Sequence, residues 1–548
     1  MFEAPKPVRK SNKEETMGTP STEQAYRDQV ATINNNASQL ARHIIDPQMD
    51  NGEIITDSAA RNEAIIQSLD GSIFDNAGEM SKMVAGSAAN AVRHYHSMHG
   101  EMPSAELMSS MHNSIENMLD PNTENPHLRA ILDSAGDGSM SASEGIIQRN
   151  RMVALVVPVQ LMMITNDMVT HIPANYNKSE IFRINRVAGS TFGDLNEGDL
   201  IDVDFNGQYA SMDQRHKIGS GDGTAVDFNF DIAAKAKAMP FVKGKVRILV
   251  DRMPVGGDDG KGGIFGKFTD ADGDTVTFTG TVNYQVGQLA VKFSKAPKTG
   301  IEIHTIADIS IEKDPSLIPT VEHEMVSYEL FPHESALVSS NSIQSQFTGK
   351  REYNIDIAGM QLATARNLMA ADKDRKRLND IYFYAKGEKT FDLTIPSGLS
   401  YRQHYEMIQT TLLAISTELM NRTKRSGLVG VVAGREASRV LKSLGAPHMV
   451  YAPNYRQLPQ PHYVGTVFGY KFKEDPHMAD PWRVLCYAKG REHGDAGYVA
   501  GDAISAINYA HSIGRNLKHE NTLYELAYRD LHPHNGRDWF MWLRFTPQ

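Results

Sequence analysis

The segment Lys350–Ala385 has the apolar periodicity of one long amphipathic helix, and it constrains the fold more than any other part of the chain. Its apolar residues recur at steps of three and four, at Ile355, Ala358, Leu362, Ala365 and Met369 and again at Leu378, Ile381, Tyr382 and Ala385. At 1.5 Å per residue such a helix would be about 50 Å long. We expect a helix of this length to lie along a flat or extended body that covers one of its faces.

The composition indicates a globular protein of several domains. The chain has 548 residues, 41% of them hydrophobic and 22% charged, and a formal net charge of −10 that disfavours a surface built to bind nucleic acid. The single cysteine, Cys486, excludes an intrachain disulfide, and its apolar neighbours predict a buried thiol. The most apolar stretch, Met152–Ile164, is shorter than a bilayer span. No apolar signal core begins the sequence, so we expect a soluble protein made in a cytoplasm.

Residues 1–145 are predicted to form a helical N-terminal region and a linker. A polar arm ends near Pro20, and the apolar periodicity then predicts amphipathic helices at Glu23–Ile45, Ser58–Leu69, Ala77–Met98 and Ser104–Leu119. Because the region is poor in aromatic residues, it can pack only a thin core, which favours an appendage over an independent domain. The small polar residues of Ser134–Gly145 predict a linker.

Residues 219–308 are predicted to form an inserted β-sandwich, because short alternating runs are separated there by Gly, Asp and Pro. Three motifs in this part look like ligand sites and are better explained as turns. No helix follows GSGDG, Gly260-Lys261 is not followed by Ser or Thr, and Asp270–Asp274 lacks the closing glutamate of an EF-hand. The chain also lacks a nucleophile elbow and a zinc-protease helix, so we predict no enzyme activity, no catalytic residues, no cofactor and no metal site.

Three later segments carry a resemblance to a known family. VVAGREASRVLKSLG (431–445) reads as a strand, a helix and a closing glycine, HYVGTVFGYKFKEDP (462–476) as a strand turn, and GDAGYVAGDAISAI (494–507) as a late strand. Together with the long helix and the order of the segments, the sequence resembles the major capsid protein of a tailed bacteriophage. The resemblance is to the Hong Kong 97 phage capsid fold of large myoviruses with a β-sandwich insertion. It covers about residues 147–548, whereas residues 1–145 depart from the simple family pattern.

The resemblance implies an α+β fold with a fixed order of domains. We expect, after the helical N-terminal region, an N-arm and extended loop at 146–218, the inserted β-sandwich at 219–308, a peripheral domain with a long spine helix at 309–398, an axial α/β domain at 399–515, and return strands of the peripheral domain at 516–548. In relatives a region such as 1–145 is either a scaffold-like segment that is removed or a part that is retained, and both alternatives stay open.

The function implied by the resemblance is a major capsid protein that self-assembles into the hexamers and pentamers of an icosahedral phage head around DNA. The expected partners are further copies of the chain, with scaffold, maturation protease, portal and decoration proteins as further candidates. Packaged DNA would lie on the inner face without sequence specificity, and no membrane is involved. The expected location is the virion, assembled in the host cytoplasm. The alternatives are an encapsulin-like nanocompartment shell protein and a tail or adhesin structural protein of a virion.

Opposite charges in two segments suggest a contact between subunits. In the family that this chain resembles, the extended loop of one subunit lies over the peripheral domain of its neighbour. The acidic candidates in the loop are Asp194, Glu197, Asp199, Asp202 and Asp204. The basic candidates on the spine helix are Lys350, Arg351, Lys373, Arg375, Lys376 and Arg377. We expect these charges to set the register between subunits, against the alternative that both segments are simply solvated.

Overall fold

The computed structural model describes residues 22–50, 53–55, 57–119, 153–175, 177–201, 208–234, 238–270, 272–352, 357–453, 455–510 and 518–547. The predicted polar arm and the linker at 134–145 lie outside these residues. The chain divides into two compact units: unit 1 comprises residues 1–183 and 326–548, and unit 2 comprises residues 184–325. The predicted α+β class is confirmed, since helices and sheets both contribute to unit 1.

The α-helices of the described residues are α1 (Thr22–Leu40), α2 (Ser58–Gln67), α3 (Ser81–His99), α4 (Ala105–Leu119), α5 (Val156–Met162), α6 (Ile343–Glu352), α7 (Ile357–Tyr384), α8 (Tyr401–Glu406), α9 (Ile408–Thr423) and α10 (Arg435–Lys442). The predicted spine helix corresponds to the end of α6 and all of α7, and residues 353–356 between them are outside the described residues. We call α7 the spine helix. None of the described helices is long and apolar enough to cross a membrane.

The strands of the first half are β1 (Met49–Asp50), β2 (Glu53–Ile54), β3 (Val169–His171), β4 (Ser179–Ala188), β5 (Asp213–Ser220), β6 (Asp227–Asp231), β7 (Arg247–Val250), β8 (Met253–Asp258), β9 (Gly263–Thr269), β10 (Thr275–Asn283), β11 (Gln288–Phe293) and β12 (Glu302–Asp308). Those of the second half are β13 (Val321–Leu330), β14 (His333–Ser342), β15 (Glu388–Asp392), β16 (Leu428–Gly434), β17 (Met449–Tyr451), β18 (His462–Val467), β19 (Tyr470–Asp475), β20 (Arg483–Ala488), β21 (Tyr498–Ala510), β22 (Lys518–Leu531) and β23 (Phe540–Thr546).

In unit 1 the spine helix packs on a four-stranded sheet of order β14-β22-β21-β3. The three long strands pair antiparallel, and the short β3 pairs parallel with β21. The N-terminal helices share one hydrophobic core with this sheet, because Met111 and Ile115 of α4 cluster with Val499 and Ala503 of β21 and with Met369 of the spine helix. The N-terminal region therefore completes its core with residues from the rest of the unit.

A second sheet of unit 1 has seven strands in the order β15-β23-β20-β16-β19-β18-β17. Its strand β16 is apolar and buried, as predicted, and α9 and α10 pack against it. Helix α10 ends before Gly445, which has a left-handed φ of 66° that favours glycine. Cys486 of β20 is fully buried in this sheet, and burial raises the pKa of its thiol.

Two of the predicted domain boundaries in this unit need correction. Strand β21, assigned to the axial domain, pairs with β22 in the four-stranded sheet. Strand β23, assigned to the peripheral domain, pairs with β20 and β15 in the seven-stranded sheet. Of the last two strands, β22 belongs to the four-stranded sheet because it continues the antiparallel ladder of β21. Strand β23 belongs to the seven-stranded sheet, where its Phe540 and Leu543 are part of the core.

Unit 2 is built on one antiparallel sheet of eight strands, in the order β5-β12-β7-β8-β9-β10-β11-β6. The sequence predicted a sandwich at 219–308, and the strands are present, but they form one sheet that begins at Asp213 instead of two packed sheets. Phe228, Phe278 and Phe293 are among the residues of its own core. Asp213 and Asp308 are register partners, so the two ends of the eight-stranded segment lie side by side.

Candidate functional site

A buried lysine fixes the spine helix on its sheet. The Lys373 ammonium lies 2.6 Å from Oδ1 of Asp502 on β21 and also contacts Oε1 of Glu525 on β22. All three side chains are at most 6% exposed. Burial alone would raise the pKa of Asp502, but Lys373 and Arg377 hold that pKa below its ordinary value. The helix is therefore attached to two neighbouring strands through one group.

Asp374 and Arg377 of the spine helix contact the segment after α5. Asp374 accepts hydrogen bonds from the backbone N–H groups of Ile164 and Thr165, both at 3.2 Å, and from the Thr165 hydroxyl at 2.6 Å. Arg377 is 1% exposed, and its guanidinium lies 3.9 Å from Asp502 and donates to the sulfur of Met163 at 3.4 Å. These contacts join the helix to the chain that enters β3.

A third contact joins the spine helix to the seven-stranded sheet. Arg375 donates to both carboxylate oxygens of Asp475 at 2.7 Å and to the backbone carbonyl of His477 at 2.7 Å. The Tyr382 hydroxyl donates to the same carboxylate at 2.9 Å, and burial with the neighbouring carboxylate raises the pKa of that hydroxyl. Asp475 is fully buried at the end of β19. The spine helix thus carries charged contacts to both sheets of unit 1.

These contacts correct part of the predicted subunit interface. Lys373 and Arg377 were expected to face a neighbouring subunit, and their burial contradicts that expectation, because a neighbour cannot reach them. Arg375 is also paired inside the subunit, with its side chain 29% exposed. Lys376 is 54% exposed and pairs with Asp380 one turn along the helix. Arg351 is exposed, and its guanidinium lies 5.7 Å from the ring centre of Phe347.

The acidic candidates lie in unit 2 and have their own local contacts. Asp194, Glu197 and Asp199 are exposed. Asp194 accepts a hydrogen bond from the Gln208 side chain at 3.3 Å, and Asp199 accepts one from the backbone N–H of Asn196 at 2.7 Å. Asp202 and Asp204 lie outside the described residues, as does the side chain of Lys350. The contact between acidic loop and spine helix stays a proposal for the exposed members of the two groups.

The buried acids that partner the spine helix were missed by the sequence reading. Asp502, Glu525 and Asp475 lie in strands, and no role was predicted for them from the sequence. The available signal was an acid between small or apolar residues, as in GDAISAI and LYELAY. Such an acid can be solvated or buried with a cation, and only the tertiary structure decides between these cases.

The exposed side of the spine helix is uncharged where its side chains are described between residues 360 and 371. The exposed residues of this stretch are Met360, Thr364, Asn367, Leu368 and Ala371. They fall within about 100° of the helix circumference at 100° per residue. Met360 and Leu368 are 61% and 59% exposed. A helix face in contact with water normally carries charged residues, so this stripe is the candidate interaction surface of unit 1.

The acidic turn of unit 2 that looks like a calcium loop is neutralised by lysines. Lys295 lies 2.6 Å from Asp274, and Lys298 lies 2.6 Å from Asp272. The carboxylates of Asp272 and Asp274 thus already have cationic partners within the chain. Among the described residues, no group of three or more His, Cys, Asp or Glu side chains could hold a metal ion.

Comparisons with known proteins give one family match and one relative. Residues 21–163 match a family described as a domain of unknown function, DUF8615. Protein IncB of Escherichia coli is 33% identical over 148 residues, which is 26% of this chain and 70% of that protein. The chain belongs to the family of Protein IncB.

The solved structures that are similar to this chain include capsids and an encapsulin. The capsid of the jumbo bacteriophage PhiKZ has a TM-score of 0.37 and 9% identity, with 69% of this chain and 91% of that chain covered. The capsid of a Helicobacter pylori bacteriophage has a TM-score of 0.30 and 8% identity, covering 43% and 78%. The holo-SrpI encapsulin complex from Synechococcus elongatus has a TM-score of 0.29 and 11% identity, covering 42% and 79%.

Replacing Lys373 by methionine should strongly destabilise unit 1. The change keeps the length of the side chain but leaves Asp502 and Glu525 buried beside an apolar group, a loss that costs about 3–5 kcal/mol. The three tryptophans, Trp482, Trp539 and Trp542, all lie in unit 1, so tryptophan fluorescence during urea unfolding reports on that unit alone.

The matched control is Lys376→Met on the same helix. Its pair with Asp380 is exposed and one turn away, so its loss should change the free energy of unfolding by at most about 0.5 kcal/mol. Equal effects of the two substitutions would contradict the assignment of Lys373 as the group that holds the helix.

Acid should destabilise unit 1, beginning below about pH 6.5. Burial lowers the pKa of His171 and of His532 to about 3, so the unfolded chain binds more protons than the folded chain between about pH 3 and 6.5. Burial would raise the pKa of Glu106, but Lys489 and His493 lower it to about 2. The protein therefore loses further stability as the pH falls from about 4.5 to 2. The stability is therefore complete above pH 6.5 and falls as the pH falls.

The check is the melting temperature of the protein between pH 8 and 4. His532→Gln should make the decline shallower, since an amide oxygen can accept the 3.1 Å hydrogen bond from the backbone N–H of His534 and does not titrate. A melting temperature that stays level from pH 7 to 5 would show that these histidines are not buried in the neutral form.

Proposed function

We propose that this chain is a major capsid protein that self-assembles into the hexamers and pentamers of an icosahedral phage head enclosing DNA. The observation that carries the proposal is the uncharged, exposed stripe of the spine helix, on a helix whose opposite side is fixed by buried charges. Interface cores are depleted of charge and enriched in methionine relative to other surfaces. A rigid helix with such a stripe supports association with further copies of the chain.

The order of the structural elements supports a capsid protein over other self-associating proteins. A spine helix on a sheet, an α/β sheet with buried helices on its face and a separate β-rich unit are the parts that the resemblance implied. Further apolar side chains are exposed on the seven-stranded-sheet side, among them Leu413 and Met420 of α9 and Val450 and Tyr451 of β17. A subunit of a closed shell needs several such surfaces, because each copy has several neighbours.

Electron microscopy of the purified full-length chain tests the proposed function. We expect closed shells of uniform diameter. Small discrete particles without closed shells would contradict the proposal, and tubes or fibres would favour the alternative of a tail or adhesin protein. Shells that enclose protein cargo in place of DNA when isolated from producing cells would favour the encapsulin-like alternative.

A charge placed in the stripe should block assembly without unfolding the subunit. Leu368→Glu changes a side chain that is 59% exposed, so its effect on the free energy of unfolding should stay within about 0.5 kcal/mol. In an interface core the same carboxylate would be desolvated without a partner, which prevents association. Sedimentation velocity should show subunits in place of shells.

The control for this variant is Met253→Glu on β8 of unit 2. Met253 is 67% exposed and lies outside the stripe, so this variant should assemble as the unchanged chain does. Normal shells formed by Leu368→Glu would contradict the proposed role of the stripe.

We propose further that the exposed acids of unit 2 pair with exposed bases on the spine of a neighbouring copy. The members available for this contact are Asp194, Glu197 and Asp199 on one side and Arg351 and Lys376 on the other. Each exposed pair contributes only about 0.2–1 kcal/mol. When the pair is repeated around a ring of subunits, the summed contribution favours one arrangement of the subunits over others. Such a contact also weakens as the salt concentration rises.

Charge reversal tests this contact. The variant Asp194→Lys with Glu197→Lys keeps Asp199, whose side chain supports its own turn. It should assemble more slowly in low salt, and added salt should speed its assembly because salt screens the repulsion between like charges. Adding Arg351→Glu and Lys376→Glu to the same chain should restore part of the assembly rate. If the acid-to-lysine variant assembles at the ordinary rate in low salt, the two groups do not meet.

A further inference from the structure

Helix α4 contributes one carboxylate to a polar cluster in the interior of unit 1. Glu106 accepts hydrogen bonds from the Thr170 hydroxyl at 3.1 Å and from the His171 backbone N–H at 3.2 Å, both on β3. It also lies 2.9 Å from Nδ1 of His493 and 3.8 Å from the Lys489 ammonium. Its side chain is 14% exposed. Four groups of the later chain thus share one acceptor from the N-terminal region.

Side chains in the second half of α4 donate hydrogen bonds to backbone carbonyls of β21 and of the segment after β3. Asn113 donates to the carbonyl of Ala174 at 3.1 Å, and Ser114 donates to the carbonyl of Asp502 at 3.1 Å. Asn117 donates to the carbonyl of Ala503 at 2.8 Å. These side chains of α4 thus supply hydrogen-bond donors to buried backbone carbonyls, as the backbone of a neighbouring strand would in a sheet.

Other N-terminal helices make separate contacts with other segments of unit 1. Gln29 of α1 donates to the carbonyl of Glu180 at 2.7 Å, and Ser87 of α3 donates to the carbonyl of Ala154 at 2.7 Å. The ring of His99, at the end of α3, lies 4.4 Å from the ring of Tyr463. The contacts are therefore spread over three helices and do not depend on the covalent connection between the two parts.

We propose that the surface formed by β3, the loop Lys489–Asp495 and β21 is a binding site for α4, and that it holds the N-terminal helices (residues 22–119) after the connecting segment has been cut. The partner is thus a segment of the chain itself. Cutting the chain alone does not release the segment. Its release leaves Thr170, His171 and His493 without the carboxylate that they share, so β3 and the loop must rearrange at the same time.

A protease site inserted at 134–145 of the full-length chain tests the binding site. After the folded protein is cut, both fragments should elute together in size-exclusion chromatography at micromolar concentration and should separate in urea. Once they separate, hydrogen exchange at the amides of β3 should rise at least tenfold. Immediate separation of the fragments in buffer would overturn the proposal.

Two variants separate the role of Glu106 from general packing. Glu106→Gln keeps the shape of the side chain but removes its charge, and the cut fragments should dissociate at least tenfold faster on dilution. Glu23→Gln on α1, whose side chain is 58% exposed, is the matched control and should leave the rate unchanged. Equal rates for the two variants would overturn the assigned role of Glu106. If Glu106→Gln does not fold, Asn117→Ala takes its place, with the same two outcomes.

Discussion

The buried ammonium of Lys373 is the group on which the arrangement of unit 1 depends. Removing a charge from water is costly, and the cost is recovered only where opposite charges lie in contact. Asp502 and Glu525 come from neighbouring strands, so the lysine is satisfied in one position of the helix over the sheet. A shift of the helix by one turn would leave three charges buried and unpaired. The interaction therefore selects one register of helix on sheet, whether or not it adds net stability.

The sequence was sufficient for most helices because their periodicity is a local property. Helix α3 was expected at Ala77–Met98 and is found at Ser81–His99. Its existence and its end were thus predicted closely, whereas its start was predicted four residues too early. Gly78 has a φ of 58°, which cannot continue a right-handed helix and delays its start. The charged run that includes Lys373 and Arg377 was expected to contact a neighbouring subunit, because the acids that pair with it inside the fold lie more than a hundred residues away in the chain. In unit 2 the alternation predicted strands, but the number of sheets depends on which strands pair at the edges, and that is not a local property.

The family match at residues 21–163 and the contacts of α4 both concern how the N-terminal region is related to the rest of the chain. A family match that ends at residue 163 suggests a separable module. The core contradicts a simple boundary, because α4 and β21 contribute to one cluster, and α5 lies both inside the family match and inside that cluster. The region that matches the family and the rest of unit 1 thus share one hydrophobic core, so that neither part has a complete core alone.

Cys486 makes this chain a convenient starting point for site-specific labelling. Its thiol is fully buried in the middle of β20, and its raised pKa keeps it in the unreactive protonated form. A cysteine introduced at an exposed position would consequently be the one thiol that a maleimide dye or a spin label reaches in the folded protein. Distances within and between copies could be followed by fluorescence or electron paramagnetic resonance without first removing a native cysteine.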